Sequence, residues 1–158
     1  MTQQQTPDAA LITIRIIWGA MIMGVLMFGV VVLAGVGSHA STPADPKFIQ
    51  LLFYIAVGML CTTVPMGFAL RSVIWRQGKD ADGRVKPSAY NTGLIIQLAM
   101  CEGTAFFALV GTMLNGGRGP HLIVAGIAIA VMVLSFPTGR PLRGDDGIQP
   151  IHRRDSEV

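Results

Sequence analysis

The sequence has 158 residues, of which 51% are hydrophobic and only 13% are charged. Soluble globular domains carry about 25% charged residues, so this composition excludes an ordinary soluble domain, and the apolar content excludes an intrinsically disordered chain. Two cysteines are too few for a disulfide scaffold. The lipid bilayer is therefore the expected environment of the chain.

Four apolar stretches follow one another along the chain, and each has at least the roughly 20 residues that a helix needs to cross a bilayer. They predict helices at about 12–36, 48–75, 92–114 and 122–142. Apolar residues are continuous within each stretch, which favours helices over the alternating strands of a barrel. The sequence predicts an all-α polytopic membrane protein, with a four-helix transmembrane domain over 1–142 and a flexible cytoplasmic tail over 143–158.

Lysine and arginine are unevenly distributed among the connections, and this distribution predicts the orientation in the membrane. Ten of them lie near the two termini or around the connection between the second and third helices: Arg15, Arg71, Arg76, Lys79, Arg84, Lys86, Arg140, Arg143, Arg153 and Arg154. The other two connections hold only Lys47 and Arg118. We expect a multi-pass protein of the inner (plasma) membrane with both termini cytoplasmic. The net charge of +3 then requires no nucleic-acid partner.

The two halves of the sequence resemble each other. Residues 16–24 align with 95–103, and residues 65–71 align with 137–143. This order predicts two duplicated helical hairpins related by an axis along the membrane normal. The first pair of blocks supplies small residues at a spacing of four, which lets helix backbones approach closely, and each block of the second pair begins with a proline. The predicted helix-packing residues are Ala20, Gly24, Ala99, Gly103, Pro65 and Pro137.

One acidic residue lies inside a predicted span. Glu102 is near the middle of the third helix, and no lysine or arginine lies at a comparable depth. A charge at the bilayer centre costs at least about 2.5–3.5 kcal/mol. We therefore expect the carboxyl group to stay protonated, to bind a cation or to form a hydrogen bond with a neighbouring helix. An ionisable residue at this depth is a functional-site hypothesis.

The second helix offers polar groups at the same depth as Glu102. Thr62 and Thr63 carry hydroxyl groups, and Pro65 frees the backbone carbonyl of Cys61 by removing a helix donor. Antiparallel packing of the second and third helices is expected to bring these groups near Glu102. The four residues Glu102, Thr62, Thr63 and Cys61 form the candidate ion-binding site. No spacing of residues indicates a metal site, a cofactor or an enzyme.

The stretch 98–111, with the sequence LAMCEGTAFFALVG, resembles the ion-carrying helix of the c subunit (proteolipid) of rotary ATP synthases. That helix has a mid-membrane carboxylate followed by small residues, aromatic residues and a Leu-Val step. The resemblance implies that Glu102 is a proton or sodium site. It favours a proton, since Gly103 stands where sodium-binding relatives carry a hydroxyl group. The carboxylate lies in the third helix of four, so the resemblance indicates a proteolipid-like helix in a different protein.

Two functions remain open from the sequence. In the first, a small integral membrane protein uses Glu102 to bind or relay a proton or cation, within a homo-oligomer or a larger membrane complex. In the second, the chain is a non-catalytic scaffold or accessory subunit of a membrane complex, and Glu102 and the small-residue faces serve assembly. The two differ in whether the carboxyl group must ionise.

Overall fold

The structure is a computed structural model that describes residues 7–38, 45–117 and 119–143. It contains the helices α1 (Pro7–Ser38), α2 (Pro46–Gln77), α3 (Pro87–Leu114) and α4 (His121–Leu134), followed by a short 3-10 turn (Arg140–Arg143). The first three helices are long and apolar enough to cross a membrane. The expectation of a helical fold is confirmed for the described residues, and three of the four predicted spans are long and apolar enough to cross a membrane. The predicted flexible tail lies outside the described residues beyond position 143.

Prolines mark the starts of α2 and α3, slightly before the predicted positions. Pro46 opens α2, and the Asp45 side chain accepts a hydrogen bond of 2.9 Å from the Lys47 backbone N–H. Pro87 opens α3 in the same way. A proline in the first turn costs no helix hydrogen bond, because that N–H has no partner within the helix. Both helices therefore begin at a proline that lies a few residues before the predicted apolar stretch.

The fourth helix is shorter than predicted, and its expected continuation to residue 142 was wrong. α4 has 14 residues, a length of about 21 Å at 1.5 Å per residue, whereas the hydrocarbon core is about 30 Å thick. Pro137 has no N–H and disfavours helical geometry at the residue before it. The Ser135 N–H closes the helix on the Val131 carbonyl at 3.0 Å. The chain then turns at Gly139, whose φ is +76°.

α3 is the central helix of the bundle, and the other three helices pack around it. Half of its membrane-length segment is buried, compared with 11% for α1 and α2. α2 and α4 run antiparallel to α3, and α1 runs parallel to it, as shown by the ring contact between Phe28 and Phe106 and the approach of Gly29 to Leu109. α3 therefore determines which polar groups of the outer helices can meet.

The outer faces of the bundle are apolar. Among the large side chains exposed there are Ile16 at 66%, Val31 at 62% and Ile123 at 66% of their full accessible surface. A soluble monomer rarely exposes an apolar surface of this extent. The surface therefore suits contact with lipid acyl chains, in agreement with the length of α1 to α3.

The helix packing does not support two equivalent hairpins. α3 and α4 share an extensive interface, as a packed hairpin would. Among the described residues, α1 packs on α3 and α4, and α2 packs on the same two helices, but α1 and α2 share no comparable interface. The first and second halves of the chain are thus arranged differently, and the sequence similarity between them has no counterpart in this packing.

The predicted helix-packing residues lie mainly on the surface of the bundle. Ala20, Gly24, Ala99, Gly103 and Pro65 are exposed, and only Pro137 is buried. A Cβ atom added to Gly103 would meet nothing within 4 Å. The prediction covered packing within a bundle or between copies of the chain, and for the five exposed residues it stays a prediction.

Other glycines make the close approaches inside the bundle. A Cβ atom at Gly67 of α2 would lie 3.3 Å from the Gln97 side chain. One at Gly93 would lie 2.8 Å from the Trp75 ring nitrogen. Spacing alone did not identify these positions, because each depends on the rotation of one helix against its neighbour.

Candidate functional site

Glu102 lies near the middle of α3 at its boundary with α1. The residue is partly exposed, and a Cβ atom added to Gly24 of α1 would lie 4.0 Å from Glu102 Oε1. None of the described residues forms a hydrogen bond or an ion pair with this carboxyl group. A glycine of α1 therefore lies beside the carboxyl group, which is partly exposed at the surface of the bundle.

Thr63, one of the predicted partners, packs on a different face of α3. Its hydroxyl group lies 2.8 Å from the hydroxyl of Thr104, and it also donates to the Met59 carbonyl at 2.7 Å. Thr104 follows Glu102 by two residues, which is a rotation of about 200° around the helix. Thr63 and Glu102 therefore lie on opposite sides of α3, and the structure does not bring them together.

The other two predicted partners are turned outward on α2. The Thr62 hydroxyl is exposed and donates to the Gly58 carbonyl of its own helix at 2.8 Å. Cys61 is an exposed free thiol. Pro65 lies within α2 without ending the helix. The expected cluster of hydroxyl and carbonyl groups around Glu102 is therefore not formed by the described residues, and Glu102 alone remains of the predicted site.

A buried hydrogen-bond chain links α2, α3 and the end of α4. Arg71 Nη1 donates to Gln97 Oε1 at 2.6 Å, and Gln97 Nε2 donates to Ser135 Oγ at 2.8 Å. Ser135 Oγ in turn donates to the Val131 carbonyl at 2.8 Å. Gln97 is fully buried, so both ends of its amide have to be satisfied. Sequence reasoning missed this chain, although a glutamine and an arginine inside apolar stretches were visible signals.

The guanidinium group of Arg71 is held between aromatic rings instead of beside a carboxylate. It lies 4.5 Å from the Trp75 ring centroid and 5.2 Å from that of Phe68. Trp75 in turn stacks on Tyr90, with ring centroids 5.2 Å apart. Cation–π contacts of this kind offset part of the lost hydration of a partly buried cation. Among the described residues no acid pairs with Arg71.

A second arginine and a tryptophan lie at the same end of the bundle. Arg15 Nε donates to the Pro137 carbonyl at 3.4 Å, and its guanidinium lies 5.6 Å from the Phe136 ring centroid. Trp18 Nε1 donates to the Met132 carbonyl at 2.9 Å, and its ring meets Phe136 edge-on. This end therefore combines arginine and aromatic side chains, a pattern that is typical of a membrane–water interface.

The structure buries His121 as the first residue of α4. Its ring lies edge-on to Phe53 at 5.5 Å and packs against Gly111 of α3. Neither ring nitrogen has a hydrogen-bond partner among the described residues. The ring contributes shape and apolar contact at the end of the bundle opposite Arg71.

Comparison with known proteins gave no matching family model, no matching curated protein and no matching solved structure. The resemblance of α3 to the ion-carrying helix of rotary ATP synthases therefore stays a prediction. Within the described ranges, no group of three or more His, Cys, Asp or Glu residues is placed to hold a metal ion.

Proposed function

We propose that this chain is an integral membrane protein in which Glu102 binds a proton reversibly at mid-membrane depth. The observation that carries the proposal is a partly exposed carboxyl group near the middle of α3 that no described residue neutralises or hydrogen-bonds. In lipid the protonated form is favoured, because an unpaired charge at this depth costs at least about 2.5–3.5 kcal/mol. Contact with water or a polar partner favours release of the proton.

The position of the carboxyl group suits exchange with a partner at the outer surface of the bundle. Glu102 is partly exposed, and Gly24, the α1 residue beside its Oε1 atom, carries no side chain. A group that approaches from the surface meets a carboxyl group that is already partly exposed. In this proposal the basic end of the bundle, where Arg15 and Arg71 lie, faces the cytoplasm of an inner (plasma) membrane protein with cytoplasmic termini.

A second candidate is an accessory subunit of a membrane complex. It is favoured by four exposed small residues, of which Ala20 and Gly24 lie on α1 and Ala99 and Gly103 lie on α3, the helix that carries Glu102. A partner helix, from a second copy or from another subunit, approaches closely where side chains are small. In this alternative Glu102 stays protonated and hydrogen-bonds to the partner across the interface.

The two candidate functions differ in whether the Glu102 carboxyl group must ionise. The test uses Glu102→Gln, which keeps hydrogen bonding and cannot ionise, and Glu102→Asp, which can. In liposomes of reconstituted full-length protein we expect proton flux that is lost in the Gln variant and retained in part in the Asp variant. Thr62→Val is the matched control, because its exposed hydroxyl bonds only within α2.

A hydrophobic carbodiimide gives a second readout, since it reacts with protonated carboxyl groups in lipid. We expect labelling at Glu102 that falls as the pH rises, and no labelling at this position in the Gln variant. Proton flux in Glu102→Gln equal to that of the unmodified protein would refute the proton site. The accessory-subunit alternative would be favoured by two results together. Neither the unmodified protein nor its Glu102 variants would conduct protons, and assembly into a complex would be kept in Glu102→Gln but lost in Glu102→Ala.

A further inference from the structure

We propose that a cavity of about 410 Å³ at the basic end of the bundle binds a phosphoryl anion. The cavity lies between α2, α3 and the segment that follows α4. Its polar lining comes from Arg71 and Arg140, with the hydroxyl-bearing residues Ser135 and Thr138 beside them. This inference is independent of Glu102, which does not line the cavity.

Among the described residues, the charge of the cavity is positive and uncompensated. Two arginines line it, and none of its lining residues is acidic. Neither Arg71 nor Arg140 forms an ion pair with a described residue. A guanidinium group has five N–H donors, and Arg71 uses one of its nitrogens for the bond to Gln97. Its remaining donors are therefore available to an anion in the cavity.

The lining is held in place before any ligand arrives. The Gly139 N–H donates to the Tyr90 hydroxyl at 3.1 Å, and the Val85 N–H donates to the Pro141 carbonyl at 3.1 Å. Both bonds attach the segment that carries Arg140 to α3 and to the connection before it. A preorganised site loses less conformational freedom on binding than a mobile one.

The lining of this cavity fits a phosphoryl group at the level of lipid headgroups. The planar fork of arginine donates two parallel hydrogen bonds to phosphate oxygens. Trp75 and Tyr90 line the cavity, and such rings anchor at the level of lipid headgroups. Beside them Leu134 is 85% exposed, and it offers an apolar surface to an acyl chain. An anionic phospholipid and a soluble phosphate compound share the phosphoryl group that the two arginines recognise.

The test counts bound lipid on the full-length protein. The protein is placed in nanodiscs that contain phosphatidylcholine and phosphatidylglycerol, and native mass spectrometry measures the phosphatidylglycerol retained. We expect Arg140→Gln and Arg71→Lys to weaken retention about tenfold, since a hydrogen bond to a charged group is lost or misaligned. Arg76→Gln is the control, because it removes the same charge from an exposed position outside the cavity. Its retention should change by less than about fivefold, the scale of general surface attraction for one basic residue.

A second measurement, with inorganic phosphate added to the protein in lipid-free detergent, distinguishes a phospholipid ligand from a soluble phosphate compound. If phosphate raises the melting temperature of the unmodified protein but not of Arg140→Gln, and lipid is not retained, the ligand is a soluble phosphoryl compound. Retention of phosphatidylglycerol without an effect of phosphate assigns the site to lipid. Arg140 is exposed and has no described hydrogen bond through its side chain, so its variant should fold normally. Equal weakening by all three arginine variants, or binding of neither ligand, would overturn the proposal.

Discussion

Replacing Gly111 with alanine measures how tightly α4 is held against α3 at the end of the bundle opposite the basic residues. A Cβ atom there would lie 2.5 Å from His121 Cδ2 and 3.0 Å from His121 Nε2. The His121 ring is fully buried and lies edge-on to Phe53. It therefore cannot move aside without disturbing a second helix, and the added methyl group is expected to separate α3 from α4.

The magnitude follows from two opposing terms. Forcing an extra methyl group into a packed core costs about 1–3 kcal/mol. Glycine to alanine within a helix gains about 0.8–1.0 kcal/mol. Gly58→Ala is the matched control, because a Cβ atom at this position in α2 meets nothing within 4 Å. The helix gain is common to both variants, so the difference in unfolding free energy between them isolates the packing cost of about 1–3 kcal/mol.

The assay is equilibrium unfolding in mixed detergent micelles with increasing sodium dodecyl sulfate, followed by far-ultraviolet circular dichroism. Both variants are measured in the same micelles against the unmodified protein. We expect Gly58→Ala to be neutral or slightly stabilised and Gly111→Ala to unfold at lower detergent fraction. Stability of Gly111→Ala equal to or greater than that of Gly58→Ala would show that the His121 ring does not press on α3.

Two further substitutions test the polar contacts between helices. Thr63→Val removes the hydroxyl pair with Thr104 of α3 and should lower the unfolding free energy by about 0.6 kcal/mol, up to about 1.7. Thr62→Val should change it by no more than about 0.5 kcal/mol. The same unfolding assay checks both variants, and equal effects would contradict a contribution of the Thr63–Thr104 pair to stability. Gln97→Leu leaves Arg71 and Ser135 without their shared partner and should lower the unfolding free energy by about 1–3 kcal/mol. A Gln97→Leu variant of unchanged stability would show that this buried chain contributes nothing to the fold.

The helices themselves follow from local features of the sequence. Continuous apolar stretches bounded by proline and glycine predicted α1, α2 and α3 to within a few residues at most ends. The exception is α4, where apolar residues continue past Leu134 but the Phe136–Pro137 pair ends the helix. Hydrophobicity therefore predicted that a fourth helix exists, whereas the backbone restrictions imposed by Pro137 determined where α4 ends.

The candidate site was predictable only in part. Glu102 is identified by composition, because an acid within an apolar stretch is visible without coordinates. Its neighbours are not, since the side of α3 that faces each helix depends on how the helices rotate when they pack. Depth along the helix correctly placed Thr63 near the level of Glu102, but the structure pairs Thr63 with Thr104 and places Gly24 beside Glu102.

The amino-acid order alone determined that the chain is helical, that its surface is suited to lipid, and that a carboxyl group lies near the middle of α3. These properties depend on the hydrophobicity and backbone preferences of neighbouring residues. The tertiary structure alone decided that Gln97 joins Arg71 to Ser135 and that His121 is buried. Such pairings join residues that are distant in the chain, and they depend on interhelical packing, which no local pattern of residues encodes.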